Sequence, residues 1–312
     1  MPPSSTKKAL NSAGHKLGQI IGDWWEKRVV AVLLAEVAAD LNLFLDHRFL
    51  SRPCRTSKIL WDDEDGNSVD YDFVLELGGN SKTRGIPVGF IESFWRGGAR
   101  HSKDKARDDT NKLLPMRDTY PTARMLAIAA CGEFTAPARE YVRTRIVELF
   151  FIPKSKILEA FRMVGMNIDY PDTLSEDGKQ EIVAKLITAL TPEKERDAAS
   201  ALRVLAGERT FESFKSRITA SLSALPQEIR IVESAHSDAA AFKNVEDASS
   251  FLDNPRFNHS RSDITYKYSI TYSDGFEFSR SLDNLDEVRN LHSQVDTLVR
   301  HIHSALDSES IA

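Results

Sequence analysis

Two acidic side chains sit where apolar strands do not ordinarily carry them. Asp72 opens Phe73-Val74-Leu75 within the segment VDYDFVLEL, and Glu92 closes the run Val88-Gly89-Phe90-Ile91. A carboxylate on an apolar strand is costly to bury unless a cation or a hydrogen-bond donor meets it. Side chains repeat every two residues along a strand, so Asp70 is expected on the face of Asp72. If the two strands are neighbours, Asp72 and Glu92 project from the same end of one sheet. Converging carboxylates suit Mg²⁺, a hard ion that takes oxygen ligands and shares its remaining positions with water and phosphate. Bound there, the ion can lower the pKa of an attacking water and stabilise charge on a phosphate in flight. Glu26, on an earlier helix, can supply a third metal carboxylate. Taken singly, either strand acid reads as a strand-end residue facing water; the pair on consecutive strands points to chemistry.

The most basic short stretch of the chain begins four residues after Glu92. Arg96, Arg100, Lys103, Lys105 and Arg107 stand there against the single acid Asp104, a net +4. Such a run is ordinarily a solvated helix face, but beside two acids it also suits phosphate, with Arg100, His101, Lys103 and Arg107 as expected DNA contacts. His101 can act as a base or a phosphate donor, having an ordinary pKa near neutrality, or simply cap the helix. The whole chain is mildly acidic, with net charge −5 and a pI near 6.0. That excludes a non-specific polycation and leaves nucleic-acid binding to local clustering.

These residues need elements to hold them. Residues 1–14 read as a disordered lead, polar with two prolines. From His15 to Leu45 the apolar residues recur at helical spacing. Strand-like runs follow at Ser57–Trp61, Val69–Leu77 and Pro87–Trp95, with turns at Asp65-Gly66 and Gly78-Gly79. A basic helix is expected over His101–Arg117. The continuous apolar run Arg124–Cys131 predicts a strand covered on both faces, followed by a helix over Pro137–Glu148 and a strand over Leu149–Ile152. Strands alternating with helices imply an α/β fold with a mixed sheet flanked by helices, spanning residues 15–153.

Residues 154–226 read as a helical region, with Thr191-Pro192 as an N-cap and first-turn pair. Residues 227–312 read as a small α+β domain. Its clearest element is a hairpin in which Tyr266, Tyr268 and Tyr272 alternate with polar residues before the turn Asp274-Gly275. Those rings either pack on the apolar stripe of the last helix or form a base-stacking platform. Trp24, Trp25 and Trp95 read as core residues rather than stacking groups.

At 312 residues the chain has room for one large domain or two ordinary ones. No apolar run approaches the ~18 residues of a membrane span, so no membrane association is expected. Met1–Lys8 lacks the apolar stretch of a signal peptide, and a cytoplasmic location is the default expectation. Cys54 and Cys131 show neither pairing nor metal-ligand spacing. The chain shows no Gly-rich phosphate loop, which weighs against an α/β enzyme for a small nucleotide substrate.

Order and residues together resemble the PD-(D/E)XK nuclease superfamily, which includes restriction endonucleases, repair nucleases and phage-defence effectors. The resemblance covers roughly residues 15–152. It rests on a Glu-bearing first helix, the strand YDFVL, the strand GFIESFWR, and the helix, strand, helix and strand that follow. It implies a restriction-endonuclease-like fold and a Mg²⁺-dependent hydrolase, a type II restriction-like endodeoxyribonuclease of an antiviral defence system. In that family the strand Asp and the next strand's acid hold the metal; those roles pass to Asp72 and Glu92, and the family's occasional helix Glu to Glu26. The family's lysine stands two residues after the second acid, where this chain has Phe94. A phenylalanine cannot orient a water, so either the site is inactive or a cation from elsewhere reaches the same space. Lys105 is the leading candidate, then Arg96, with Lys103 as a phosphate contact. Arginine stays protonated and serves only to stabilise charge. The expected partner is double-stranded DNA, with a homodimer or another defence-system subunit alongside. The rival reading is a catalytically inactive nuclease-fold subunit that binds DNA or scaffolds a defence complex.

Overall fold

The computed structural model describes residues 12–170, 173–234, 239–255 and 264–309. Of the expected disordered lead, residues 1–11 lie outside the described residues. From Ser12 the chain is already organised, because its side chain accepts the His15 amide and caps a helix starting at Ala13. That helix, α1 (Ala13–Trp24), runs into a π-helical stretch, Trp25–Val30, and then α2 (Ala31–Asp40). The expected helix to Leu45 stops short. Asn42 turns left-handed with φ 49°, and Phe44–His47 forms a strand, β1. Leu41, Leu43 and Leu45 repeat every two residues, a strand period that the preceding helical stripe masks.

A short hairpin follows, β2 (Leu60–Asp62) with β3 (Ser68–Asp70), then β4 (Phe73–Leu77) and β5 (Ile86–Arg96). The run expected as one strand from Val69 to Leu77 is therefore two. It breaks at Tyr71-Asp72, and Asp70 turns away to accept the Ile59 amide at 2.8 Å rather than sharing a face with Asp72. Beyond β5 come α3 (Ser102–Thr119), β6 (Met125–Gly132), α4 (Ala136–Arg143) and β7 (Glu148–Pro153). The second helix of this stretch ends five residues early, as the chain turns through Ile146 with φ 55°.

The sheet is mixed, in the order β1-β4-β5-β6-β7. Antiparallel pairs join β1, β4 and β5, and parallel pairs join β5, β6 and β7. As the continuous apolar run predicts, β6 is buried on both faces. Met125, Ala127 and Ala129 face one core, while Leu126, Ile128 and Ala130 face the other. The first core lies under α1, the π-helical stretch and α2. It also takes in α5 (Lys154–Met163), α6 (Glu176–Ala189), α7 (Pro192–Ala206) and α8 (Glu208–Leu222). Thr191 caps α7 by accepting the Lys194 amide, with Pro192 in the first turn. The second core lies under α3 and α4.

The C-terminal part is a four-stranded antiparallel sheet with two helices. Its elements are β8 (Pro226–Glu233), β9 (Ala239–Phe242), α9 (Val245–Asp253), β10 (Tyr266–Tyr272), β11 (Glu277–Leu282) and α10 (Leu285–Glu309), with strand order β11-β10-β8-β9. Tyr266, Tyr268 and Tyr272 are buried, and the Tyr268 hydroxyl lies 2.7 Å from Nδ1 of His292 on α10. They are core residues, so the stacking platform is ruled out. Arg124, just before β6, ties this part to the larger sheet. It lies 2.7 Å from Asp274 and 3.5 Å above the Tyr272 ring. Among the described residues no helix is long and apolar enough to cross a membrane.

Candidate active site

The antiparallel register of β4 and β5 pairs Phe73 with Ile91. Extended by one residue, it brings Asp72 opposite Glu92. The link is direct, since the amide of Ser93 donates to Asp72 Oδ2 at 2.8 Å. The end of β5 is fixed by a close approach. Gly132 has φ 100°, and a methyl group there would stand 2.1 Å from the Arg96 carbonyl.

Glu26 reaches the same region from the opposite wall. It lies in the π-helical stretch, where the Ala31 amide bonds back to the Glu26 carbonyl across five residues. Such stretches are rare and concentrate at functional sites. Buried Glu26 accepts Arg48 Nε at 2.6 Å, and Arg48 also holds Asp23 at 2.5 Å.

One face of α3 completes the cluster with Lys105, Asp109 and Lys112, spaced by four and three residues so that they share a helix face. Lys112 Nζ stands 2.6 Å from Glu92 Oε1. Lys105 Nζ stands 2.7 Å from Asp109 Oδ1 and 5.2 Å from the centre of the Phe94 ring. The ammonium of Lys105 therefore hangs over the side chain that occupies the expected lysine position.

Four carboxyl groups here share one electrostatic condition. Burial pushes Glu92 up to about 8, and the neighbouring Asp72 adds to this while Lys112 opposes it. Burial and then Asp72 push Glu26 up to about 7. Asp72 is itself raised by burial, against the Ser93 amide and the charges of Lys112, Lys105 and Arg48. Asp109 is raised by burial despite its pair with Lys105. Burial disfavours the Lys105 ammonium, but Asp109, Glu92 and Asp72 outweigh it and hold its pKa above the ordinary value. Lys105 is thus a fixed cation near neutrality.

Asp72, Glu26 and Ser93 open onto a cleft of about 1040 Å³. Its walls include Gly14, Gly18 and Gly22 of α1, Trp95 and Arg96 of β5, and Lys154 at the start of α5. Glycine inside a helix costs about 1 kcal/mol relative to alanine, so three on one face need a reason outside the helix. Arg96 donates to the Arg100 carbonyl at 2.5 Å. Arg100 and His101 also line the cleft. His101 is exposed and left-handed, with φ 62° and its ring 3.1 Å from Asp104. Lys103 and Arg107 are exposed outside the cleft walls, and Arg107 pairs with Asp104 at 3.3 Å.

The structure thus brings Asp72, Glu92 and Lys105 together, sets Glu26 beside Asp72, places Arg96, Arg100 and His101 along a cleft that Glu92 and Lys105 do not line, and leaves Lys103 and Arg107 apart. Sequence reasoning missed Lys112, Asp109, Arg48 and Ser93. The spacing of Lys105, Asp109 and Lys112 around buried Ala106, Leu113 and Met116 is the signal that identifies the first two. As to metal, the available donors are hard carboxylate oxygens short of hydrogen-bond donors. Among the described residues no group of three or more His, Cys, Asp or Glu could hold an ion between them. A site with two protein carboxylates and several waters fits Mg²⁺, which keeps much of its hydration.

Comparison of the chain with protein-family models, curated proteins and solved structures finds no match.

Proposed function

We propose that this chain is a Mg²⁺-dependent nuclease of the PD-(D/E)XK, restriction-endonuclease-like type, hydrolysing DNA phosphodiester bonds in a restriction or phage-defence system. The observation that carries the reading is the convergence of Asp72, Glu92 and Asp109 on the lysines of α3, with Glu26 beside Asp72 and all four carboxyl groups raised in pKa. Of these, Glu26 and Asp72 line the cleft while Glu92 and Asp109 lie behind it, and a perturbed titratable group in a cleft is a candidate for function. Asp72 and Glu92 would hold the Mg²⁺, which when bound supplies Lewis acidity toward the phosphate and a more acidic water.

The protein's own groups divide the remaining work. Lys105, held charged by Asp109, orients a water or neutralises a phosphate oxygen from the place the family gives to its strand lysine. It is too strongly protonated to serve as a base. Glu26, at about 7, exchanges a proton readily near neutrality, which suits a proton acceptor rather than the third metal ligand expected from sequence. Lys112 fixes the Glu92 carboxylate.

The test is Mg²⁺-dependent cleavage by purified protein, with Asp72→Ala and Glu92→Ala alongside. Both variants are expected to lose activity while keeping the fold; full activity in either defeats the reading. The inactive-subunit alternative draws on Phe94. DNA binding without cleavage across a panel of divalent ions would favour it.

A further inference from the structure

Lys105 and Lys112 stand on one face of α3, yet their ammonium groups are held in different ways. Lys105 Nζ donates to Asp109 Oδ1 at 2.7 Å, a pair one helical turn apart within α3. Lys112 Nζ stands 2.6 Å from Glu92 Oε1, and that oxygen finds no aligned hydrogen-bond donor among the described residues. The contact is one of charge with little directional bonding. Directional bonds are what a buried ion pair needs to offset the desolvation of its members, so this pair is the weaker of the two.

The partners also differ in freedom. The Glu92 side chain is 4% exposed and that of Lys112 is 28%, so the acid is fixed while the ammonium has a route to solvent. The stem of Lys112 is nevertheless kept at the site. The Tyr71 hydroxyl donates to the Lys112 carbonyl at 2.9 Å, and the ammonium lies 5.1 Å from the centre of the Tyr71 ring. Lys112 bears on the second strand acid as well. Burial raises the pKa of Asp72, and among the cations that oppose this the pull of Lys112 exceeds those of Lys105 and Arg48. One ammonium therefore serves both carboxylates that would hold Mg²⁺. A divalent ion meets the same two acids with twice the charge.

We propose that Lys112 is a resident counter-ion on Glu92 that a divalent ion must displace, so that metal occupancy is set by exchange between this ammonium and the metal. The inference rests on the nuclease reading for the identity of the two metal-holding acids. The pair that steadies Glu92 without metal also raises the metal concentration needed to load the site. Lys112 is thus a positioning residue with a cost to metal affinity, whereas a lysine that only oriented Glu92 for the ion would favour binding.

The test is binding of Mg²⁺ and Mn²⁺ to the full chain without nucleic acid, by calorimetry and by the paramagnetic resonance signal of free Mn²⁺. Lys112→Met should bind Mn²⁺ about tenfold or more tighter than wild type, and Lys112→Arg, which keeps the charge, should bind it no tighter. Lys105→Met removes an equal charge from the same helix face and should tighten binding only a few-fold, as a through-space effect. In the wild type, acylation of Lys112 by a water-soluble succinimidyl ester, read by peptide mass spectrometry, should rise several-fold as Mg²⁺ is added, with Lys105 unchanged. That labelling decides the matter if Lys112→Met does not fold. Metal binding by folded Lys112→Met that is no tighter than wild type, an equal gain in Lys105→Met, Lys112 labelling indifferent to Mg²⁺, or no metal binding by any of these proteins overturns the proposal. Tighter metal binding in Lys112→Met by a chain that cleaves no DNA sinks the nuclease reading and leaves the exchange standing. Mg²⁺-dependent cleavage by a wild type in which Lys112 neither competes with metal nor changes its labelling does the reverse.

Discussion

Asp72 and Glu76 lie four residues apart along the same stretch of chain and show opposite ways of burying an acid. Glu76 receives Arg52 at 2.7 and 3.1 Å and the Gly85 amide at 2.8 Å. Arg52 also bonds Asp46 at 2.6 Å, and Asp46 receives Arg55 at 2.7 Å from the other side. Each carboxylate there is met by guanidinium or amide donors. Asp72 receives one amide, and the lysines nearest it are paired with Glu92 and Asp109. The first cluster is a finished ion network. The second is left short of positive charge, and the raised pKa values of its acids are the consequence. Buried acids at one end of β4 are matched by guanidinium and amide donors, and those at the other end outnumber the donors that meet them.

The sharpest way to break this contrast is to neutralise each end in turn. Asp72→Ala or Glu92→Ala should lower Mg²⁺-dependent cleavage on the order of 10³-fold or more, with an intact thermal transition. Arg52→Met should do the opposite, destabilising the fold by about 3–5 kcal/mol in denaturant titrations because Glu76 loses its only cation and Asp46 keeps Arg55 alone. A large stability loss in the first pair, or none in the last, dissolves the distinction.

A second comparison concerns the migrated cation. Lys105→Ala should reduce turnover about 10²-fold, and adding Phe94→Lys should recover part of the loss. Recovery would place the missing charge over the Phe94 position; a double variant no better than the single would point to Lys112 instead.

The smallest effect is one of pH. Glu92 titrates at about 8 in the fold against an ordinary 4.5, and Glu26 at about 7. Between those limits the folded chain holds more protons than the unfolded chain, so these groups lose stability as pH rises. Glu92→Gln should therefore gain thermal stability relative to wild type on going from pH 5 to pH 8 in EDTA. Added Mg²⁺ should stabilise the wild type more at pH 8 than at pH 5. A difference that shrinks with rising pH contradicts the assigned direction.

Much of this arrangement is written in local sequence, and part of it is not. Asp72 and Glu92 are visible because an acid among Phe, Val, Leu and Ile violates the pattern of its own strand. The alternation of β6 between two cores is visible for the same reason. Lys112 and Asp109 are harder to see, since only their spacing around Ala106, Leu113 and Met116 marks them and α3 is otherwise so polar that an inward-facing charge looks like its outward neighbours. The break before β4 is invisible to periodicity, since β3 and β4 each keep a strand pattern and only their partners differ. Arg52 and Arg55 lie in a loop whose composition shows nothing of the acids they meet. The cleft depends on α5 and the segment after it, far from Asp72 in sequence, and no local pattern announces such a meeting.

The π-helical stretch from Trp25 to Val30 has a consequence for how the site could be lost. It carries one residue more than a regular α-helix needs to join α1 to α2. Removing a single codon there would let the turn relax and rotate everything on its N-terminal side by about 100° relative to α2. The glycine face and Asp23 would swing off the cleft, and buried Leu17, Ile21 and Trp24 would turn away from the core they share with β5, so the extra residue ties the cleft wall and the packing of α1 to one register.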